Sequence, residues 1–204
     1  HQGSSVQLYA GTPGISDPGE ELVRQCYEAG ITVTSVPGAC AAVNALIISG
    51  RPTRRFAFEA FLPKDKKERA AVLEELKNET RTIILYEAPH HLCKTLKQLY
   101  ETLGNRNITL CKELTKRYEN AFVTTLEDAI AFYDSNEPKG EYVLVIEGKS
   151  RADIEAEKRD SFSAMTIEEH MDLYLSKGME KKEAMKQVAK DRGNSKRDVY
   201  QALL

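Results

Sequence analysis

Residues 10–19 read Ala-Gly-Thr-Pro-Gly-Ile-Ser-Asp-Pro-Gly, with three glycines and two prolines within ten positions. Such a run does not suit the interior of a helix or strand, because glycine is conformationally free and proline lacks the backbone N–H. It predicts an irregular loop followed by a helix that is capped by Ser16 or Asp17 and ends at Gly30. The loop is either a tight strand-to-helix connection or a segment whose backbone approaches a ligand closely.

The rest of the first 150 residues alternates between strand and helix patterns. Strands are predicted at 32–36, 56–60, 82–86, 108–111, 123–125 and 142–146, and helices at 39–49, 64–78, 89–103 and 126–133. The alternation predicts an α/β layered domain. Ligands gather at the carboxyl ends of strands in such sheets, so the segments 37–38, 87–89 and 113–115 are expected near a site.

The last 54 residues have a different pattern. Residues 151–163 are charged and poor in apolar side chains, which predicts a linker. Thr166 with Glu169 and Ser195 with Asp198 form two capping boxes, and a further helix is predicted between them at 180–192. From Lys177 onward, eight Lys and Arg oppose four Asp and Glu. This local basic excess suits phosphate contacts, but it is also compatible with a packing or dimerisation appendage.

The composition limits the class of protein. The 204 residues carry a formal net charge of -2, with 41% hydrophobic and 29% charged residues. These values are typical of a globular chain without a global attraction for nucleic acid. The sequence pattern predicts neither a transmembrane segment nor a signal peptide. The four cysteines show no zinc-type spacing, so buried free thiols and no metal site are expected.

Six sequence blocks follow one another along the chain. They are residues 11–19, 36–42 (Val-Pro-Gly-Ala-Cys-Ala-Ala), 61–63 (Phe-Leu-Pro), 85–90 (Leu-Tyr-Glu-Ala-Pro-His), 112–119 (beginning Lys-Glu-Leu-Thr-Lys) and 140–148 (Gly-Glu-Tyr-Val-Leu-Val-Ile-Glu-Gly). In this order they closely resemble the ribosomal RNA small subunit methyltransferase I family. The resemblance extends over nearly everything from Ala10 to Leu204.

The resemblance implies both a fold and an activity. The expected fold is an α/β, tetrapyrrole-methylase-like mixed sheet flanked by helices, with a small C-terminal helical tail that resembles a helix-turn-helix. The expected activity is S-adenosylmethionine-dependent methylation of the 2′-hydroxyl of a cytidine in 16S ribosomal RNA. Such a transfer requires donor and acceptor held in line and a proton removed from the hydroxyl. The expected partners are 16S ribosomal RNA in the small subunit and a second copy of the chain, in the cytoplasm and without a membrane.

The same resemblance suggests site residues. For S-adenosylmethionine they are Ala10, Gly11, Thr12, Pro13, Gly38, Ala39, Ala41 and Leu114. The candidate catalytic residues are Glu113 and Lys116, and the candidate RNA-binding residues are Lys64, His90, Lys182, Lys186, Lys196 and Arg197. At His91 the chain departs from the family, which usually has arginine there.

Each of these assignments has a structural alternative. The small residues 38–42 also suit close packing of a helix on a strand. Glu113 and Lys116 are equally compatible with an ordinary surface ion pair, worth under about 1 kcal/mol. His90 also suits a structural hydrogen-bonding role, and the lysines around Lys64 also suit a solvated helix face.

The chain also departs from the family at its start. Gln7-Leu8-Tyr9 resembles the family's extreme N-terminus, whereas Ala10 begins a motif that the family places much later. Our hypothesis is that part of the first half is missing between Tyr9 and Ala10, either deleted or not seen. The predicted organisation is residues 1–37 as a remnant of the N-terminal half, 38–150 as the C-terminal α/β half, and 151–204 as linker and helical tail. Two other functions remain open, namely a tetrapyrrole-type methylase of a small molecule and a non-catalytic RNA-binding relative.

Overall fold

A five-stranded sheet is the centre of the computed structural model, which describes residues 12, 14–16 and 19–203. The strands are β1 (Phe56–Phe61), β2 (Thr82–Glu87), β3 (Asn107–Lys112), β4 (Asn120–Thr125) and β5 (Tyr142–Ile146). Their order in the sheet is β1-β2-β5-β3-β4, in which β1 and β2 pair in parallel and every other pair is antiparallel. The predicted α/β fold with a mixed sheet is confirmed.

Helices cover both faces of this sheet. The first five helices are α1 (Glu20–Glu28), α2 (Ala41–Ile48), α3 (Lys66–Leu76), α4 (Pro89–Leu103) and α5 (Leu126–Ser135). Leucines of α3, α4 and α5 pack with Leu85 and Leu144 in the larger core cluster. α2 packs with Ile84 and Val145 in a second cluster. Because neighbouring strand residues point to opposite faces, Ile84 and Leu85 belong to different clusters.

Local signals account for the best-predicted boundaries. α4 begins at Pro89, whose missing N–H is not needed in the first turn, and is followed by Gly104 at φ +78. The Thr125 hydroxyl accepts a hydrogen bond from the Asp128 backbone N–H and caps α5. The predicted strand at 142–146 coincides with β5, and all five of its residues are buried.

The predicted strand at 32–36 is wrong, because residues 31–40 form neither helix nor strand. A strand needs a hydrogen-bonded neighbour, and none of the residues that the structure describes pairs with this segment. The predicted cap of α1 is also corrected, because Gly19 is its N-cap and Ser16 has φ +63. Asp17 and the junction between Tyr9 and Ala10 lie outside the described residues.

The chain divides into two compact units, the first ending at Lys149 and the second beginning at Ser150. The second unit contains α6 (Arg151–Ser163), α7 (Ile167–Leu175), α8 (Lys181–Arg192) and α9 (Lys196–Ala202). The linker predicted at 151–163 is therefore wrong, because the Ser150 hydroxyl accepts from the Asp153 N–H and starts α6. Both predicted capping boxes are confirmed at α7 and α9.

A small apolar core holds the second unit together. It consists of Met171, Ala184, Val188, Ala189 and Val199, contributed by α7, α8 and α9. α6 joins through its C-terminal end, where the Phe162 ring stacks on the buried His170 ring at 4.1 Å between centroids. The short helices thus bury a common face, which compensates for their marginal stability in isolation.

Candidate active site

Thr12 joins two segments that are far apart in sequence. Its backbone N–H donates to the carbonyl oxygen of Ala39 at 2.8 Å, and its hydroxyl donates to that of Gly38 at 2.9 Å. Two hydrogen bonds hold Thr12 against the segment before α2. The structure therefore brings together Thr12, Gly38 and Ala39 of the predicted donor-binding set. Ala10, Gly11 and Pro13 lie outside the described residues.

A cavity of about 190 Å³ opens at this junction, which we call the loop cavity. Its lining is Thr12, Ile15, Ser16, Ala39, Cys40, Ala41, Phe61 and Tyr86. Small side chains at Ala39 and Ala41 leave the main chain accessible there. Pockets for whole drug-sized ligands span about 300–1,000 Å³, so the loop cavity suits one part of such a ligand.

Tyr86 connects the loop cavity to the sheet. Its hydroxyl oxygen accepts a hydrogen bond from the Ala42 backbone N–H at 3.2 Å. That N–H belongs to the first turn of α2, where the N-cap residue Cys40 makes no side-chain capping bond. The Tyr86 ring makes edge contacts with Phe58 and Phe61 at centroid distances of 5.1 and 5.6 Å. Sequence reasoning missed Tyr86, although it ends an otherwise apolar run that stops at a predicted site.

Leu114 lies in a strained loop next to the same hydrophobic cluster. Its neighbours Glu113 and Thr115 have backbone φ values of +50 and +64, a region that residues other than glycine rarely adopt. The Leu114 side chain packs against the second core cluster, as do the half-buried Cys40 and Tyr86. The structure thus places Leu114 on the α2 face of the sheet, together with the loop cavity.

The Glu113 carboxylate is engaged in holding this loop. Its Oε1 atom accepts from the Glu141 backbone N–H at 2.8 Å and lies 3.3 Å from the Lys116 ammonium. Lys116 also pairs with the Glu141 carboxylate at 2.9 Å. The Glu141 N–H, followed by Lys116, lowers the pKa of Glu113, while Glu141 and then Glu113 raise the pKa of Lys116. Neither candidate catalytic residue lines the loop cavity or the larger cavity described next.

A second cavity, of about 540 Å³, lies where β1 and β2 end, and we call it the cationic cavity. Its lining is Phe61, Leu62, Pro63, Lys64, Arg69, Glu87, Ala88, His90, His91 and Lys94. Lys64 and His90, both predicted to bind RNA, therefore lie at one site. Two lysines, one arginine and two histidines line the cavity together with a single carboxylate, so the cavity favours an anionic ligand.

The carboxylate of this cavity is buried and fully engaged. Glu87 is 6% exposed, and its oxygens accept from the Ala88 N–H at 2.9 Å and from the Thr95 hydroxyl at 2.5 Å. The Thr95 oxygen accepts in turn from the Arg69 guanidinium at 2.8 Å, and Arg69 also donates to Gln98. This network holds Arg69, which lines the cavity, through two neutral partners. Sequence reasoning missed Arg69, which lay inside a cluster interpreted as a solvated helix face.

The four candidate RNA-binding residues of the tail lie in the second unit. Lys182 and Lys186 are one helical turn apart on α8, and Lys196 and Arg197 open α9. All four are exposed. The arrangement presents cations on neighbouring helices, which is what contacts with a phosphate backbone require.

Two further properties bear on the class of site. None of the helices within the described ranges is long and apolar enough to cross a membrane. Among residues 12, 14–16 and 19–203, no three His, Cys, Asp or Glu side chains cluster as metal ligands would.

Comparison with known proteins gives the family. The sequence model of the Tetrapyrrole (Corrin/Porphyrin) Methylases matches residues 2–130. Among solved structures, the methyltransferase CobJ is similar with a TM-score of 0.50 and 20% identity, over 68% of this chain and 62% of that one. The chain is therefore a methyltransferase with the tetrapyrrole methylase fold.

Curated relatives narrow the class. The chain is 46% identical over 98% of its length to the ribosomal RNA small subunit methyltransferase I of Halalkalibacterium halodurans, and 45% identical over 96% to that of Synechocystis sp.. It spans 69% and 68% of the lengths of these relatives. It belongs to the ribosomal RNA small subunit methyltransferase I family within the tetrapyrrole methylases. The methyl donor of this family is S-adenosylmethionine.

Proposed function

We propose that this chain transfers a methyl group from S-adenosylmethionine to the ribose 2′-hydroxyl of a cytidine in 16S ribosomal RNA. The observation that carries the proposal is the pair of cavities that share Phe61, one lined by backbone-rich loops and the other by cations. The first suits a donor with polar ends, and the second suits a polyanion. The names of the curated relatives support RNA as the acceptor.

The donor side is assigned to the loop cavity and its flanks. Thr12, Gly38, Ala39, Ala41 and Leu114 would hold part of S-adenosylmethionine, together with Ala10, Gly11 and Pro13. The small side chains of the loop cavity fit a ligand that is recognised largely through the main chain. When bound, the donor supplies an electrophilic methyl group on its sulfonium. The residues of this chain contribute binding and orientation, which dominate the catalysis of such transfers.

The acceptor side is assigned to the cationic cavity. Lys64, Arg69 and Lys94 would pair with phosphates that flank the target nucleotide, and His90 would donate a hydrogen bond to the same backbone. Arg69 is oriented before RNA binds, because Thr95 and Gln98 already hold its guanidinium. Preorganisation of this kind lowers the entropy cost of binding.

Glu113 and Lys116 are assigned a positioning role. The contacts of Glu113 with Glu141 and Lys116 hold the positive-φ loop that presents Leu114. Loss of the Glu113 carboxylate is therefore expected to weaken donor binding through Leu114. The sequence predicts a catalytic role for Glu113 and Lys116. In this proposal the two residues instead affect donor binding by positioning Leu114.

The tail supplies sequence-independent affinity in this proposal. Lys182, Lys186, Lys196 and Arg197 would contact phosphates of the small ribosomal subunit, in a cytoplasmic homodimer. The test is RNA affinity against salt concentration for the Lys182→Gln/Lys186→Gln variant. The control is Lys97→Gln/Lys139→Gln, two lysines already paired with Asp134 and Glu137. We expect the tail variant alone to flatten the salt slope, by about 1 to 2. Equal slopes would reject the tail assignment.

The activity itself is tested with radiolabelled S-adenosylmethionine. The acceptors to compare are small ribosomal subunits, large subunits and a tetrapyrrole. We expect label in small-subunit RNA, at a cytidine whose phosphodiester resists alkaline cleavage because its 2′-oxygen is methylated. Transfer to the tetrapyrrole alone would identify a small-molecule methylase. RNA binding without transfer to any acceptor would identify a non-catalytic relative.

A further inference from the structure

Phe61 occupies an unusual position between the two cavities. It is the last residue of β1, and its side chain lines both the loop cavity and the cationic cavity. One edge contact ties the ring to Tyr86, at 5.6 Å between centroids. The residue is nevertheless 56% exposed. A large apolar ring with this exposure is not explained by core packing, and its place between the two cavities suggests a ligand contact.

A β-bulge turns Phe61 toward this position. Phe58 pairs with Ile84 of β2, but the next residue of β2, Leu85, pairs with Ala60. Glu59 of β1 therefore has no partner in β2, and Phe61 pairs with Tyr86. In a regular strand, residues 58 and 61 would face opposite sides of the sheet. The extra residue reverses the alternation, and both Phe58 and Phe61 contact the Tyr86 ring. Bulges of this kind re-aim side chains beside active sites.

The bulge is maintained at an energetic cost. Ala60 has φ +50, a conformation that costs an alanine free energy and that glycine adopts readily. A strained residue persists only where the surrounding structure enforces it. Here the strain at Ala60 orients Phe61. Among the described residues, Phe61 is the one aromatic residue that lines both cavities.

We propose that Phe61 is the platform on which the nucleobase of the target nucleotide stacks. This inference rests on the proposed function, because it specifies how the acceptor RNA is recognised at the same site. An exposed aromatic ring stacks on an unpaired base, and adjacent cations bind the flanking phosphates. Lys64 follows three residues later and Lys94 lines the same cavity, which supplies those cations. A base on Phe61 leaves its ribose at the junction with the loop cavity.

The test compares Phe61→Leu with Phe61→Trp and with the control Phe56→Leu. Leucine removes the aromatic face but keeps an apolar side chain, whereas tryptophan retains an aromatic face. Phe56 lies at the opposite end of β1 and is 39% exposed, so its replacement reports general effects on the strand. Circular dichroism and thermal unfolding establish that each full-chain variant is folded.

Two readouts separate RNA recognition from donor binding. The first is kcat/KM for methylation of small ribosomal subunits, and the second is the Kd of S-adenosylmethionine by calorimetry. For Phe61→Leu we expect kcat/KM to fall about 5- to 100-fold, mainly through KM, because base–aromatic stacking has that magnitude. The donor Kd should stay within about twofold, Phe61→Trp should retain a higher kcat/KM than Phe61→Leu, and Phe56→Leu should remain near the parent.

A third readout does not depend on catalysis. A single-stranded oligoribonucleotide with 2-aminopurine at its centre loses fluorescence when that base stacks on an aromatic ring. Quenching by the parent chain and by Phe61→Trp, but not by Phe61→Leu, would support the platform even if no methyl transfer were detected. Equal quenching by Phe61→Leu would overturn it. A weakened donor Kd with unchanged kcat/KM for RNA would instead assign Phe61 to the adenine of the donor.

Discussion

The hydroxyl oxygen of Tyr86 accepts a hydrogen bond from the backbone N–H of Ala42 across 44 residues of sequence. One end of this bond is the carboxyl end of β2, and the other is the first turn of α2. Since the side chain of Cys40 does not cap α2, Tyr86 provides a partner for a helix N–H that lacks an intrahelical one. The segment 38–42 is thereby fixed to the sheet beside the loop cavity.

Tyr86→Phe is expected to weaken S-adenosylmethionine binding about 5-fold, because a typical hydrogen bond contributes about 1 kcal/mol. The ring contacts with Phe58 and Phe61 remain, so the sheet should keep its packing. Calorimetric titration of the donor measures the effect. Tyr118→Phe removes the hydroxyl of a tyrosine that is 70% exposed and serves as the matched control. An unchanged donor Kd in Tyr86→Phe would show that the Ala42 contact is not needed for binding.

Gly140→Ala is expected to displace the Glu113 carboxylate. A Cβ atom at residue 140 would lie 2.6 Å from the Glu113 Cγ and Oε1 atoms. Gly178 is the matched control, because its φ of +83 resembles the +80 of Gly140 while the space around it is open. We expect Gly178→Ala to cost about 1 kcal/mol from backbone strain alone. Gly140→Ala should cost more and should also weaken donor binding, and equal urea midpoints with an unchanged donor Kd would contradict this expectation.

Thr95→Val is expected to destabilise the first unit by about 1–3 kcal/mol, because it removes the hydroxyl that joins Glu87 to Arg69. Valine matches the shape of threonine, so the cost comes from unpaired polar groups rather than from a cavity. Urea unfolding measures it, and Thr95→Ser, which keeps the hydroxyl, is the control. The Arg69 orientation should also be lost, with weaker RNA binding. Valine and serine variants of equal stability would argue against a structural role of the network.

The second unit is expected to lose stability in mild acid. Burial lowers the pKa of His170, the nearby Arg192 charge lowers it further, and Asp191 opposes both. The neutral ring accepts from the Arg192 guanidinium through Nδ1 at 3.1 Å. Because the folded pKa lies below the ordinary value of 6.5, the unfolded chain binds the proton first as the pH falls. Stability is therefore fully present above that value and decreases below it.

Hydrogen-exchange protection factors of peptides from 167–192 measure this loss between about pH 7.5 and about pH 5. Peptides from β2 report the first unit and serve as an internal reference. The variant His170→Leu should remove most of the pH dependence, because it removes the group whose pKa is depressed. If the parent and His170→Leu lose protection in parallel, other groups account for the acid sensitivity.

Local chemistry explains which elements were predictable. α4 has a proline at its start and a glycine after its end, and β5 is an apolar run bounded by turn residues, so neighbours in sequence define both. The segment 32–36 has a strand pattern as well, but a strand depends on a partner that the pattern does not reveal. The charged residues of α6 favour a linker when the sequence is considered alone. Ser150 with Asp153 nevertheless has the same spacing as the box that starts α9.

In the candidate site, too, some features follow from local sequence and others depend on distant partners. Thr12, Gly38 and Ala39 belong to short motifs, and their predicted proximity is seen in the hydrogen bonds of Thr12. Tyr86 and Phe61 come together because β1 and β2 are parallel neighbours with a bulge between them. Sheet order and register are long-range properties, so a reading of local patterns assigned no role to this aromatic pair.

The position of β5 in the sheet sets an order for assembly on the ribosome. β5 lies between β2 and β3 and pairs with both, yet it follows all the other strands of this sheet along the described residues. Until residue 146 has left the exit tunnel, β2 and β3 lack their shared partner, and the unpaired backbone groups along their edges are exposed to other nascent chains. A chain interrupted by a stop codon before Tyr142 therefore retains two unsatisfied edges at its centre. Such a product is expected to aggregate and be degraded rather than persist as a smaller folded protein.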